Sequence, residues 1–338
     1  MNPELSMHLS NSTTIRRRHL LALAAAALPA ASFAQPSAAG AWPDKPLRMF
    51  VGYAAGSGID TAARQLAHRI EVLAGQPVVV DNRPGALGNL AAQAVAAARG
   101  DANTILFTPN STHAANIHLF KKLPFDPVKD FAPVSSVATL GFVLVGDPKT
   151  VNVTSVKELV TALRREPGRW AYGTGNATGL VAGAMFKTLT GTDMLAVPYK
   201  SVPPAMTDLM GGRLQLVFAD ATLAIPLVRA GKLRALAVSG SHRMAALPQV
   251  PTMAEAGVPK YDLTAWFAVF QPAGVAPEHN ARMASLVQRA LQDPQLAESL
   301  RSIGAEPESS TPAELAQRVT TDTARWGALV KLAGIEAE

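Results

Sequence analysis

Side chains able to do covalent or metal chemistry are sparse in this chain and poorly spaced for it. There is no cysteine, which removes disulfides, thiolate metal sites and cysteine nucleophiles together. The seven histidines are His8, His19, His68, His113, His118, His242 and His279. His113 and His118 do not stack as an i, i+4 pair, and no HExxH occurs, so no metal site is expected. Ser57 lies between Gly56 and Gly58, but a nucleophile elbow needs glycine at the second neighbours, where Ala55 and Ile59 stand. A hydrolase using Ser57 or Ser111 would also lack a histidine placed by motif to activate it. Gly173-Thr174-Gly175 has Thr178 where a dinucleotide fingerprint needs its third glycine, and there is no GxxxxGK[ST] loop. No pair of acids is placed for acid–base work. The expectation is a protein that binds rather than catalyses, with no cofactor and no metal.

What remains is two glycine-containing loops, Gly52 to Asp60 and Gly173 to Thr178. Each lies between an apolar strand pattern and a helix pattern. Free backbone N–H groups and the helix dipole make such places good anion sites. Asp60 and Thr178 are the expected N-caps. Neither loop contains Lys or Arg, so an anion there would be held by backbone amides. Gly56 is the expected point of close backbone approach, where a bulky side chain would block binding.

The elements that must position these loops alternate as short apolar strands and amphipathic helices. Leu47 to Val51 reads as a buried strand and Asp60 to Ala74 as a helix, with Ala63, Leu66, Ala67, Ile70 and Leu73 on one face. Gly75 stops that helix. Strand Val78 to Val80, a helix from about Asn89 to Ala98 and strand Thr104 to Phe107 complete a βαβαβ start, which implies a parallel sheet. Further on, Gly141 to Val145 reads as a strand and Ser155 with Glu158 as a capping box. Strand Trp170 to Gly173 and helix Thr178 to Leu189 follow. Leu195 to Val197, Leu214 to Phe218 and Leu233 to Val238 are strands, with Gly211-Gly212 closing a helix between the first two. Thr264 to Phe270 is a strand, and helices are expected over about Pro277 to Leu291 and Pro312 to Leu332. Thr311, Pro312 and Glu314 form the start of the last one. No fixed-period repeat is present. The pattern implies two α/β lobes.

The amino terminus carries Arg16-Arg17-Arg18, an apolar run from Leu20 to Leu28, Pro29, and Ser32-Phe33-Ala34. This is the pattern of a signal peptide over residues 1–34, by the Sec or the twin-arginine route. Its removal takes three arginines and Glu4 with it. The whole chain has 31 Lys+Arg against 25 Asp+Glu, a net charge of +6. The positive residues are scattered, so nucleic acid is not an expected partner. No later segment has the length and apolarity of a membrane span.

A series of motifs runs through the rest. Trp42-Pro43-Asp44-Lys45-Pro46-Leu47-Arg48 comes first and Asp81-Asn82-Arg83-Pro84-Gly85-Ala86 follows the second strand. Then come Leu123-Pro124-Phe125-Asp126-Pro127-Val128-Lys129-Asp130-Phe131 and Val197-Pro198-Tyr199-Lys200. Asp208-Leu209-Met210-Gly211-Gly212, Ala230-Gly231-Lys232-Leu233-Arg234 and Leu247-Pro248-Gln249-Val250-Pro251-Thr252 complete it. Together they resemble the Bug family, the TctC-like extracytoplasmic solute receptors of tripartite tricarboxylate transporters. The resemblance implies a two-lobed α/β fold of the periplasmic-binding-protein kind, type II, with two crossover strands and the ligand in the cleft between lobes. It implies lobe 1 over residues 41–138 with 265–338, and lobe 2 over 139–264. It also implies a small organic acid as ligand, held by loop amides, hydroxyls and water, and membrane permease subunits as partners. The chain departs from the family pattern at several cleft positions. The first loop, usually Pro-Phe-Pro-Pro-Gly-Gly-x-Thr-Asp, reads Gly52 to Asp60 with Ser57 and Ile59 in place of a glycine and the threonine. Leu87, Val181 and Ser201 stand where the family has Gly, His and Gly.

From these readings the expected ligand contacts are Tyr53, Ser57 and Asp60 from the first loop, and Ser111 and Thr112 after the third strand. Thr174, Asn176 and Thr178 are expected from the second loop, with Ser201 and Asp220 at the far wall. The expected protein is a monomeric periplasmic receptor for a carboxylate, serving a permease or, alternatively, a sensor protein.

Overall fold

The computed structural model describes residues 42–337, so the signal peptide expected over residues 1–34 lies outside the described residues. The chain begins as its periodicity dictates. Strand β1 (Leu47–Val51) leads through a loop to helix α1 (Gly58–Ala74), β2 (Val78–Asn82), α2 (Asn89–Ala96) and β3 (Thr104–Pro109). Both β2 and β3 pair parallel to β1. A π-turn at Ser111–Ala115 and the short α3 (Asn116–Leu119) follow. Next is β4 (Phe131–Gly146), 16 residues long. After it come α4 (Val156–Arg165), β5 (Ala171–Thr174), α5 (Ala177–Thr190), β6 (Leu195–Pro198), α6 (Val202–Met210), β7 (Leu216–Asp220), α7 (Ala221–Arg229) and β8 (Arg234–Val238). The return is β9 (Thr264–Pro272), α8 (Pro277–Leu291), α9 (Pro294–Ser302), β10 (Ala305–Pro307) and α10 (Pro312–Leu332).

The strands hydrogen-bond in the order β2-β1-β3-β9-β4-β7-β5-β6, with β8 and β10 both paired to β4. Two parallel sets, β2-β1-β3 and β7-β5-β6, are therefore joined through an antiparallel pair, β9 and β4. Strand β4 passes from one set to the other: Phe131 to Gly141 pair with β9, and Phe142 to Val145 pair with β7. Register shifts at Pro133/Ser135 and Ser136/Ala138 mark bulges, which bend a strand and increase its twist.

Alternation along the strands sends neighbouring residues to opposite faces, and each face is covered. Met49 and Ile105 pack with Leu66 and Ile70 of α1 and Met283 and Val287 of α8. Phe50 and Leu106 turn the other way, against Ala91, Ala92 and Val95 of α2 and Leu315 and Val319 of α10. In the second set Leu216 and Phe218 pack on Val181, Met185 and Phe186 of α5. Val217 and Ala219 pack on Ala205 and Leu209 of α6 and Ala224 and Ile225 of α7.

Several expectations need adjusting. The Ser155 side chain accepts from Glu158 N, but the Glu158 carboxylate bonds to Thr154, so the reciprocal half of the box is displaced by one residue. At α10 both halves of the box are present. Helices α7 and α9 and the first ten residues of β4 were not legible in the sequence. Among the described residues no helix is long and apolar enough to cross a membrane, and no cluster of three His, Asp or Glu could hold a metal.

Candidate functional site

Four loops leave the C-terminal ends of parallel strands toward one region: β1 to α1, β3 to the π-turn, β5 to α5 and β7 to α7. Ligands of open α/β sheets bind outside these strand ends. A narrow cleft lies there, nearly closed with ≈ 30 Å³ of free space, and its walls come from both parallel sets. Tyr53, Ser57, Gly58 and Ile59 come from the first loop and α1, Pro109 and Ser111 from the end of β3. Asn176 and Thr178 come from the start of α5, Val202 from α6 and Asp220 from the end of β7. Leu140 and Phe142 of β4, with Ala265 and Phe267 of β9, complete it. Larger depressions exist, such as one of ≈ 560 Å³ lined by Thr154, Lys157, Arg234 and Glu255, but they lie away from these strand ends.

Both long helices at the cavity are capped by cavity residues. Ser57, in extended conformation, accepts from Asp60 N and opens α1. Asn176 accepts from Gly179 N at 2.7 Å and opens α5. The caps are thus Ser57 and Asn176 rather than Asp60 and Thr178. The opening N–H groups of a helix have no intrahelical partner, and Gly58, Ile59 and Thr178 of these first turns line the cavity. Gly58 is the glycine that close approach requires. A Cβ there would fall inside contact distance of Thr222 Oγ1 and Asp220 Oδ1, on the opposite wall. Gly56, the glycine singled out from sequence, does another job. It is left-handed (φ +78°), a Cβ there meets nothing within 4 Å, and its N–H donates to Asp60 Oδ2 at 2.9 Å.

Asp60 does not line the cavity. It is the brace of the first loop: Arg64 Nε donates to Oδ2 at 3.0 Å and Asn82 Nδ2 to Oδ1 at 2.8 Å. Asn82 also donates to the Tyr53 carbonyl at 3.0 Å. Burial alone would raise the Asp60 pKa, but the bonds from Arg64, Asn82 and Gly56 outweigh it and hold it below the ordinary value. Three other expected contacts are also absent from the cavity wall. The Thr112 hydroxyl lies 2.7 Å from Thr108 Oγ1 and 2.8 Å from His113 Nδ1. The Thr174 hydroxyl donates to the Val197 carbonyl at 3.4 Å. Ser201 is buried behind Gly175, whose Cβ would collide with the Ser201 and Val202 backbone. Its neighbour Val202, not Ser201, reaches the cavity. Tyr53, Ser57, Ser111, Asn176, Thr178 and Asp220 are brought together.

Tyr53 is buried, and its hydroxyl donates to the Leu87 carbonyl at 3.1 Å and sits 3.0 Å from Ser111 Oγ. Burial pushes its pKa up to about 12, so it stays a neutral phenol. Leu87 (φ +51°) and Ala86 (φ +46°) are in the left-handed region, a costly place for residues other than glycine. The Tyr53 hydroxyl and Asn116 Nδ2 (3.1 Å) both converge on the Leu87 carbonyl and hold that turn. Behind it His113 stacks on Phe270, ring centroids 3.7 Å apart, and burial pushes its pKa down to about 3. The imidazole is therefore a neutral core group, and the Ser111 hydroxyl is paired with a phenol rather than a histidine. Asp220 is buried at the cavity with the Thr222 hydroxyl on its carboxylate, and burial raises its pKa. Sequence reasoning missed Leu140, Phe142, Ala265 and Phe267, and it missed Asn82, although the Asp81-Asn82-Arg83 motif marked the place.

This arrangement is that of a ligand-binding α/β protein of the two-lobed periplasmic-binding kind. Residues 62–335 match the family model of the tripartite tricarboxylate transporter family receptor. The chain belongs to that family, the TctC-like or Bug receptors. It is 33% identical over 319 residues to protein BugT of Bordetella pertussis, covering 93% of this chain and 97% of that one. Among solved structures it is similar to Rpa4515 of R. palustris with adipate, at 35% identity and a TM-score of 0.85, covering 88% of this chain and 100% of that one. It is also similar to MatC of Rhodopseudomonas palustris with bound malate, at 28% identity and a TM-score of 0.81, covering 85% and 99%.

Proposed function

We propose that this protein is an exported receptor that captures a small organic carboxylate in the described cavity and delivers it to a tripartite membrane permease, without chemistry on the ligand. The observation that carries this reading is the cavity wall itself: two capped helix N-termini and the hydroxyls of Tyr53, Ser57, Ser111 and Thr178, with no Lys, Arg or His. Helix N-termini and hydroxyls stabilise an anion through dipoles and hydrogen bonds. The adipate and malate of the two similar structures support the same ligand class. In this reading lobe 1 is 41–138 with 265–338, lobe 2 is 139–264, and residues 1–34 direct export to the periplasm. The lobes close about β4 and β9, and the closed form is what the permease recognises.

A thermal-shift panel of organic acids, neutral sugars and cationic amino acids tests the ligand class. A ligand at about 100 times its dissociation constant stabilises the fold by about 2.7 kcal/mol. Carboxylates are expected to raise the melting temperature, and sugars and cationic amino acids to leave it unchanged. A set of hits dominated by sugars would exclude the carboxylate reading.

A further inference from the structure

Asp220 is the one charge-bearing side chain on the cavity wall among the described residues. It is only 6% exposed and has no cationic partner there; its side-chain partner is the Thr222 hydroxyl. The groups around it are neutral. From the first loop there is the phenol of Tyr53, from α5 the amide of Asn176 and the hydroxyl of Thr178, and from β4 the ring of Phe142, which is opposite Asp220 in register. On α1 the backbone of Gly58 meets it, while Asp60 and Arg64 are paired with each other and with Asn82. A buried carboxylate without a cation repels a second anion, and two carboxylates in contact must share a proton. A hydroxyl or ammonium in the same place makes a charge-assisted hydrogen bond instead.

We infer that the ligand meets Asp220 with a hydrogen-bond donor: it is a carboxylate whose other end carries a hydroxyl or an amino group, rather than a fully ionised diacid. This rests on the carboxylate-receptor reading and sharpens it. Asp220 then fixes orientation, leaving the ligand's own carboxylate to the helix N-termini and hydroxyls.

The test is calorimetric titration with matched four- and six-carbon series: the plain acid, the ω-hydroxy acid, the ω-amino acid and the diacid. At pH 8 the hydroxy or amino acid is expected to bind about tenfold or more tighter than the plain acid and the diacid of the same length. Diacid binding should tighten progressively as pH falls from 8 to 6, because a proton must be taken up where the two carboxylates meet. Asp220→Asn should erase that pH dependence and reduce the preference for the donor end. The wild-type pH series stands by itself should the variant fold poorly. A diacid that binds tightest at pH 8, with no pH dependence, overturns this inference and leaves the carboxylate reading intact. No binding of any acid in either series, with sugars binding instead, overturns both.

Discussion

Asp60 on α1 and Asp220 at the end of β7 are both buried carboxylates beside the same cavity, yet their surroundings differ. Asp60 receives Arg64, Asn82 and the Gly56 N–H, so its pKa is lowered despite burial. Asp220 has the Thr222 hydroxyl and the backbone N–H groups of its own residue and Leu223 but no cation, so burial wins and its pKa is raised. The first is turned away from the cavity and fixes the shape of a loop. The second faces the space where a ligand would sit. Both are nearly closed to solvent, but Asp220 lies deeper and lacks a cation, and the two differences together divide scaffold from binding group. A carboxylate neutralised by a cation of the protein is structural, and one without a cation is available to something else.

The most severe way to break the comparison is to prevent the two corners from meeting. Gly58→Val puts a branched side chain where Gly58 faces Asp220 and Thr222. Calorimetry should show at least a hundredfold loss of carboxylate affinity, about 2.7 kcal/mol, with circular dichroism unchanged. Normal binding by this variant would mean that the corners need not approach.

Removing the brace is the next step down. Asp60→Ala removes a buried carboxylate that accepts from Asn82, Arg64 and the Gly56 N–H, and a hydrogen bond to a charged group contributes about 1.5–3 kcal/mol. Urea unfolding should show that loss. Because the folded pKa of Asp60 lies below its ordinary value, its contribution is complete above that value. It is lost as pH falls through the folded pKa. The gap between wild type and Asp60→Ala should therefore close in acid.

Asp220 has the opposite sign. Its folded pKa is raised, so the stability linked to its protonation is present in acid and is lost as pH rises. Asp220→Asn should raise the melting temperature of the ligand-free protein, and more at pH 8 than at pH 5. A burden of this kind at a functional position is expected where binding and stability compete. A lower melting temperature at pH 8 would place Asp220 with Asp60 as a structural group.

Much of this frame was legible in the sequence, because strand runs and 3.6-residue periodicity are local. The β1-α1-β2 start, the glycine loops and the α8 and α10 boundaries followed from spacing and caps. What was not legible depends on distant partners. The Phe131 to Leu140 part of β4 contains Pro133, Ser135 and Ser136 and has no strand pattern by itself; it is a strand because β9 lies beside it. Helix α7 carries Pro226 in its interior, which masks its period. Four apolar residues of the cavity come from β4 and β9, 125 or so positions apart along the chain, and only the crossover brings them together. Asp60 was expected at the ligand because its type suits binding; Asn82, 22 positions away, helps hold it away from the cavity.

In the proposed function the anion is held by helix N-termini and hydroxyls, without a cationic side chain. Lys200 tests it most directly, since it is exposed, lies two residues from cavity-lining Val202 and belongs to the Tyr199-Lys200 motif. The measurement is calorimetric titration of Lys200→Ala with the tightest-binding acid from the panel, at low ionic strength. An affinity within about twofold of wild type is expected, since an exposed charge contributes little. Loss of binding in this variant, with its fold intact, would show that a side-chain cation holds the anion and would contradict the account.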